Sequence, residues 1–276
     1  MRGLNVDVNK CQRDAICMSV CPAGVIKKEP SGGYPEPTAD FETFCLACGH
    51  CVAVCPYEAL SLAWLSPEMC LPIDPKLNLS AKQVEQLLRS RRSIRKFKEE
   101  QVDQDKLKKL LEIATCAPSA KNEQPWHWIV IQDPSEVKRL AHLVVDWMRV
   151  VIKEKPDLAR QRAYHRVVAA WKKGKDAICR AAPHLIVVHA DKNWVLGPED
   201  CASALTYLEI FAPTLGVGTC WAGYLYGAAK VYVPLFEALG VPSGHRVFGA
   251  MMVGYPKFQY HRLPLRNPPR VTWKKK

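Results

Sequence analysis

The chain has 276 residues, of which 48% are hydrophobic, 39 are Lys or Arg, 27 are Asp or Glu and 12 are cysteines. That length and apolar content leave room for two domains with real cores and exclude a disordered or low-complexity chain. The net charge of +12 is divided, with 5 Lys/Arg against 9 Asp/Glu in residues 1–75 (−4) and 34 against 18 in the rest (+16).

The basic residues lie on helical stretches among Glu and Asp. No helix-turn-helix, finger or RNA-binding signature accompanies them, so nucleic acid is not the expected partner. An anionic cofactor and an acidic redox partner account for the charge more economically, and the Lys274 to Lys276 tail is read as solvated surface. The start, M-R-G-L-N-V-D, has no apolar signal region, and the apolar stretch Leu140 to Ile152 is broken by His142, Asp146 and Arg149. The expectation is a cytoplasmic protein with no membrane partner, whose cysteines are metal ligands and buried thiols rather than bridges.

Cysteine spacing dominates the first 65 residues. Cys45, Cys48, Cys51 and Cys55-Pro56 follow the bacterial iron–sulfur pattern of i, i+3, i+6 and i+10, in which the fourth thiolate serves a neighbouring cluster. A second run upstream places Cys11 on Cys45, Cys17 on Cys51 and Cys21 on Cys55, with Asp14 where Cys48 stands. The tails C-M-S-V-C-P-A-G-V-I and C-V-A-V-C-P-Y-E-A-L share an apolar rhythm, so this is an internal repeat. Zinc sites need two ligand pairs rather than seven cysteines with a Cys-Pro after each run, and disulfides belong to secreted chains. Residues 1–65 resemble a two-cluster bacterial ferredoxin. By that resemblance Cys11, Asp14, Cys17 and Cys55 hold one cluster, and Cys45, Cys48, Cys51 and Cys21 the other. Both are expected to be 4Fe-4S, with 3Fe-4S the alternative at Asp14 if that residue is an ordinary surface aspartate.

Between the runs, Gly32-Gly33 flanked by short extended segments predicts a hairpin. Residues 66–79, with three prolines in S-P-E-M-C-L-P-I-D-P-K, predict an extended linker in which Cys70 is structural. The second domain, 80–276, opens with Ser80 and Gln83 as a capping box ahead of Val84, Leu87 and Leu88. A helix capped by Asp103 runs through Leu107, Leu110, Leu111 and Ala114 and ends before Pro118. Trp126 to Gln132 alternates as a strand does, and Asp133-Pro134 starts a long helix. Residues 154–180 read as polar helix, with a cover over the active site one use for them. His184 to Ala190 is a buried strand, Glu199 to Leu215 a helix apolar on nearly every side with Gly216 as its stop, and 219–225 and 246–254 further strands separated by a helix near Val231 to Leu239. Interleaved helices and strands give an α+β or α/β domain with a central sheet.

Four segments carry the chemistry. Arg91, Ser93 and Arg95 alternate along an extended stretch leaving a helix, which suits an anion such as phosphate. The loop A-P-S-A-K-N-E-Q-P-W, residues 117–126, presents amides and backbone groups that match a flavin's pyrimidine edge. G-V-G-T-C-W-A-G, residues 216–223, lets backbone approach a flat ring. Arg262 and Arg266 are further anion ligands. In this order the segments resemble the nitroreductase family of FMN flavoproteins, which makes the fold α+β. The resemblance implies that Arg91, Arg92, Ser93, Arg95 and Arg262 contact the ribityl phosphate. It implies that Pro118, Ser119, Ala120 and Asn122 reach the flavin of the partner subunit in a homodimer, and that Cys220, Trp221 and Gly223 line the other face. Tyr260 stands where the family commonly has a lysine.

Against these, Trp126, Trp128, Trp221 and Tyr224 read first as core, His127, His184 and His189 as packed, and Cys116, Cys179 and Cys201 as buried thiols. No nucleophile, base and orienter constellation is present, as expected where a flavin does the chemistry. The resulting expectation is an oxidoreductase passing electrons from reduced ferredoxin or flavodoxin through two clusters to FMN and a nitro, quinone or other conjugated acceptor. NAD(P)H reduction of FMN with the clusters as exit, and a non-enzymatic carrier or sensor, are the alternatives.

Overall fold

The two cysteine runs adopt one backbone shape twice. In the computed structural model, which describes residues 3–28 and 32–274, left-handed backbone occurs at Arg13, Ala15 and Gly24 and again at Ala47, Gly49 and Glu58, each pair 34 positions apart (13 to 47, 15 to 49, 24 to 58). Such residues turn successive peptide N–H groups toward one side, so a short loop curls around a centre. Ala, Arg and Glu take this conformation only at a cost in energy, so something other than local propensity shapes these loops.

Around the loops the elements are only three or four residues long: β1 (Leu4–Val6), α1 (Ile16–Ser19), β2 (Ile26–Lys28), β3 (Pro35–Pro37), α2 (Phe41–Phe44), α3 (His50–Ala53) and β4 (Leu60–Leu62). The hairpin forms as β2 and β3, with Ile26 opposite Pro37, and residues 29–31 of its turn lie outside the described residues, as do Lys275 and Lys276 of the tail. β4 returns to pair antiparallel with β1, Leu4 opposite Leu62. Val25, Ile26, Phe41, Val52, Leu60 and Leu62 form a small core into which Cys17, Cys45 and Cys51 are built.

The Pro-rich stretch differs from the expected extended linker. Pro67–Met69 and Pro75–Leu77 are 3-10 turns that begin at proline, where the missing N–H would have had no partner. The Asp74 carboxylate accepts from the Lys76 N–H at 2.9 Å, and the Cys70 sulfur lies 3.6 Å from the Ser66 carbonyl. By its contacts the chain divides into Met1–Asn78 with Lys121–Glu123, and Leu79–Ala120 with Gln124–Lys276.

The second unit begins with α4 (Ala81–Ser90), where the Ser80 N–H donates to Gln83 Oε1 at 2.8 Å and the Gln83 N–H donates to Ser80 Oγ at 3.4 Å. Its apolar residues Val84 and Leu88 are exposed in this chain. Next come α5 (Gln104–Ala114), β5 (His127–Ile131), α6 (Pro134–Glu154), α7 (Pro156–Gln161), α8 (Tyr164–Lys172), β6 (His184–Asp191), α9 (Gly197–Phe211), β7 (Gly218–Trp221), α10 (Gly223–Ala229), α11 (Val233–Ala238) and β8 (His245–Gly254). Asp103 precedes α5 without capping it, because its carboxylate is taken by Tyr255 at 3.1 Å and Lys106 at 3.3 Å. Asp133 does cap α6, accepting from the Ser135 N–H at 2.8 Å.

The sheet runs β5-β6-β8-β7 with every pair antiparallel, so the domain is α+β. Along β6, Leu185 and Val187 pack with α6, α8 and α10 on one face, while Ile186 and Val188 pack with α5 and α9 on the other. The expected strand 219–225 is cut short. The Ala222 N–H still donates to the Ala250 carbonyl at 2.8 Å, but Gly223 onward is helical. In α9, Ala204, Leu205 and Leu208 are fully covered within this unit, so the helix has less spare apolar surface than its sequence promises. It continues as a 3-10 turn and stops at Gly216, φ 71°.

Candidate functional site

The cysteines surround two recesses. One is lined by Cys45, Cys48 and Cys51 together with Cys21, the other by Cys11, Asp14 and Cys17 together with Cys55. Each recess is thus lined by three of the expected ligands from one run and the last cysteine of the other run. Among the described residues no three His, Cys, Asp or Glu side chains converge as a single ion requires. Ligands spread round a recess suit a cubane, whose irons stand apart, better than one tetrahedral ion.

Burial pushes the Cys51 thiol up to about 11 and that of Cys17 up as well, with neighbouring thiols adding in each case. As thiolates, these groups therefore need a cationic partner. The Ala59 N–H donates to Cys55 Sγ at 3.4 Å. Asp14 Oδ1 accepts from the Ile16 N–H at 3.1 Å, an Asx turn that fixes the carboxylate at the rim of its recess.

Two cavities in the second unit are lined by residues of segments 91–95 and 216–223. One, of about 560 Å³, is lined by Arg91, Arg92, Glu209, Gly216 to Thr219 and Pro256 to Tyr260. The other, of about 700 Å³, is lined by Arg95, Cys220, Trp221 and Gly223 together with residues of α6, α7 and 177–180. The expected single row of Arg91, Ser93 and Arg95 is therefore broken. Arg91 ends α4 and pairs with the Glu209 carboxylate at 2.8 Å, Ser93 is bridged through its backbone to Thr219, and Arg95 faces the second cavity. Arg92 donates from Nη1 to the Arg91 carbonyl at 2.6 Å, and its Nε and Nη2 are buried with no partner. A buried guanidinium with idle donors is costly unless an acceptor is supplied, and phosphate oxygens supply one.

The remaining expected residues divide. Cys220 and Trp221 line the larger cavity, and Gly223 has nothing within 4 Å of where a Cβ would stand, so the space beside it is open to a ring. Gly218 serves packing instead, since a Cβ there would lie 2.6 Å from Ile94. Arg262 is exposed and lines neither cavity, whereas Tyr260 and Lys257, the latter passed over in the sequence, line the smaller one. Pro118, Ser119, Ala120 and Asn122 also line neither. Ser119 Oγ accepts from the Gln124 N–H at 2.9 Å and the Ala120 N–H donates to Asp200 Oδ1 at 3.0 Å, while Asn122 groups with the first unit and donates to the Ala47 carbonyl at 3.2 Å.

Trp221 and Tyr224 are cavity walls as well as core, and 154–180 contributes Lys155, Leu158, Arg162 and Tyr164 to the same wall. Cys116 is exposed and His127 is exposed, both against expectation, because each sits at the end of its element rather than beneath a layer. His184 is buried as expected, accepting at Nε2 from the Val102 N–H at 2.8 Å.

With this geometry in place, relatives were compared. The profile of the nitroreductase family matches residues 88–255, and that of the 4Fe-4S dicluster domain matches residues 9–60. A protein of Archaeoglobus fulgidus, named provisionally as an NADH dehydrogenase/NAD(P)H nitroreductase, is 29% identical over 188 residues, 67% of this chain and 94% of the relative. An NADH dehydrogenase of Thermus thermophilus is 30% identical over 199 residues, 67% of this chain and 92% of the relative. Among solved structures, a nitroreductase with bound FMN from Bacteroides fragilis has a TM-score of 0.58 at 22% identity, covering 70% of this chain and 99% of its own, a likeness of fold. No helix of the described residues is long and apolar enough to cross a membrane.

Proposed function

The chain belongs to the nitroreductase family and carries a 4Fe-4S dicluster domain ahead of the family domain, and on that premise we propose that it is an FMN oxidoreductase that takes electrons singly from reduced ferredoxin or flavodoxin and delivers them in pairs to a nitro, quinone or other conjugated acceptor. One observation carries the reading: the same chain holds two recesses, each drawing cysteines from both runs, and a cavity lined by the half-buried Arg92, whose Nε and Nη2 are covered and have no partner. FMN, when bound, would supply the interchange between one-electron and two-electron chemistry that such a relay needs.

The residues themselves bind, orient and exclude. Arg92 offers Nε and Nη2 to a phosphate, while Glu209 neutralises Arg91 and makes it an orienting rather than a clamping group. Burial pushes the Cys220 thiol up, so it stays protonated and acts as wall, not nucleophile. By family resemblance Pro118, Ser119, Ala120 and Asn122 serve the flavin of a second copy, and the exposed Val84 and Leu88 of α4 give a second copy apolar surface to cover. Light scattering of the purified protein is expected to give a dimer.

Anaerobic mixing with a nitroaromatic tests the reading. Oxidation of reduced ferredoxin with loss of the nitro chromophore is the expected result. The name of the Thermus relative favours a second reading, in which NADH is the donor and the clusters carry electrons out. Consumption of NADH alone would establish that one, and consumption of neither donor would leave a carrier or sensor.

A further inference from the structure

The cavity of about 700 Å³ in the second unit has an unusual wall. Arg95, Lys155, Arg162 and Arg180 line it, and no Asp or Glu does. Among the described residues none of the four makes an ion pair. Of the carboxylates near them in sequence, Asp157 pairs with Arg160 and Asp176 accepts from the N–H groups of Ile178, Cys179 and Ala181 at 2.8 to 2.9 Å, while Glu154, next to Lys155, is exposed and is not part of the cavity wall. The rest of the wall is apolar and aromatic, with Trp147, Val151, Leu158, Tyr164, Trp221, Tyr224 and Met252. Trp147, Tyr164 and Tyr224 touch one after the other, with ring centroids 5.3 and 6.2 Å apart and ring planes inclined at 56° and 74°, so they present both faces and edges.

The cations come from different segments of the wall. Lys155 and Arg162 flank α7, one before its first residue and the other after its last, while Arg95 follows α4 and Arg180 follows Ile178. Arg95 and Arg180 both act on the Cys220 thiol, lowering its proton affinity against the larger effect of burial, and Arg162 acts in the same sense on the Tyr164 hydroxyl. Arg180 and Ala163, next to Arg162, are both left-handed, φ 60° and 54°, a conformation that side chains seldom adopt. A flavin whose phosphate meets Arg92 in the smaller cavity and whose ring lies beside Cys220 and Gly223 would leave Lys155 and Arg162 uncompensated. Like charges facing a cavity with low-dielectric walls attract an anion and cost stability without one.

We propose that Lys155 and Arg162 recognise a carboxylate or similar anionic substituent on the conjugated acceptor, whose aromatic body packs among Trp147, Tyr164 and Tyr224. The inference rests on the oxidoreductase reading and narrows its substrate to anionic aromatic compounds. Neutral nitroaromatics or quinones are then poor ligands.

The experiment is titration calorimetry of the full chain, purified with its cofactors, using 4-nitrobenzoate and the neutral 4-nitrobenzyl alcohol as probes. The carboxylate is expected to bind about tenfold tighter or more, as for a charge-assisted hydrogen bond, and to weaken with added salt. Lys155→Gln and Arg162→Gln, both at exposed positions, are expected to remove that preference, leaving the alcohol's affinity within about twofold and the flavin content unchanged. Equal wild-type affinities, or variants that weaken both probes alike, would overturn the proposal. Loss of flavin in the variants would also overturn it, because these cations would then serve the cofactor. A wild type that carries no flavin and reduces neither probe with any donor would instead defeat the oxidoreductase reading, whatever the two affinities.

Discussion

The two units are held together by different means. In the first, no strand or helix among the described residues exceeds four residues and three of the buried core side chains are cysteines, so there is too little apolar surface to fix the chain without a bound group. In the second, a four-stranded sheet is buried on both faces and Leu140, Val144, Met148, Leu185, Val187, Leu205 and Leu208 are completely covered. One fold is expected to be organised from its ligands outward and the other from its packing, so that only the second should tolerate loss of what it binds.

The largest expected effect separates them directly. Cys51→Ala should remove one cluster and with it the order of residues 3–65, read as loss of about half the iron and rapid amide exchange there, because metal affinity in such sites is folding free energy. The second unit should keep its flavin and its melting transition; a coincident loss of both would merge the two stabilities into one. Arg92→Gln is the converse. It should cost about 1.5–3 kcal/mol of FMN binding, roughly 10- to 100-fold in affinity, with iron content unchanged, and flavin fluorescence titration measures it.

A packing change should act on the second unit alone. Gly249 sits where a Cβ would be 2.4 Å from Leu205 and 3.2 Å from Trp221 and Val188. Gly249→Val should therefore destabilise that unit by ~1–3 kcal/mol, lowering its melting temperature while cluster absorbance at room temperature stays as in the wild type.

Acid should also divide the units. His189 on β6 lies 3.0 Å, Nδ1 to Nδ1, from His245 on β8 and stacks on His127 of β5. Burial, with His245 and then His127 adding, pushes its imidazole down from 6.5 to about 4. The unfolded chain then takes a proton that the folded chain refuses, so this contribution is complete above pH 6.5 and is lost as pH falls toward 4. Its ceiling is ~3 kcal/mol, reduced by the exposure of His127. Denaturant midpoints of wild type and His189→Asn should differ in slope over that window and run parallel above it. The smallest effect is expected at Asp14, where a carboxylate is a harder and less covalent ligand than thiolate. Mild oxidation should give a three-iron paramagnetic signal that Asp14→Cys suppresses; an unchanged spectrum and iron content in Asp14→Ala would make Asp14 an ordinary rim residue.

What the sequence determined by itself is what short-range geometry settles. The capping box at Ser80, the helix from Asp133, the strands at 127–131 and 184–191 and the doubled cysteine runs each depend on partners within one turn or on a period of two, and the repeat even carried over to the left-handed backbone at 13/47 and 15/49. Tertiary structure decided whatever joins distant positions. Glu209 claims Arg91 from 118 residues away and so splits the expected phosphate row between two cavities. Segment 154–180, which carries no motif, supplies three of the four cations of the larger cavity, Lys155, Arg162 and Arg180, and three histidines from β5, β6 and β8 meet only because those strands are neighbours. A charge's spacing along the chain says which way it can point, but the carboxylate, ring or open space it meets is set by elements the intervening chain brings back.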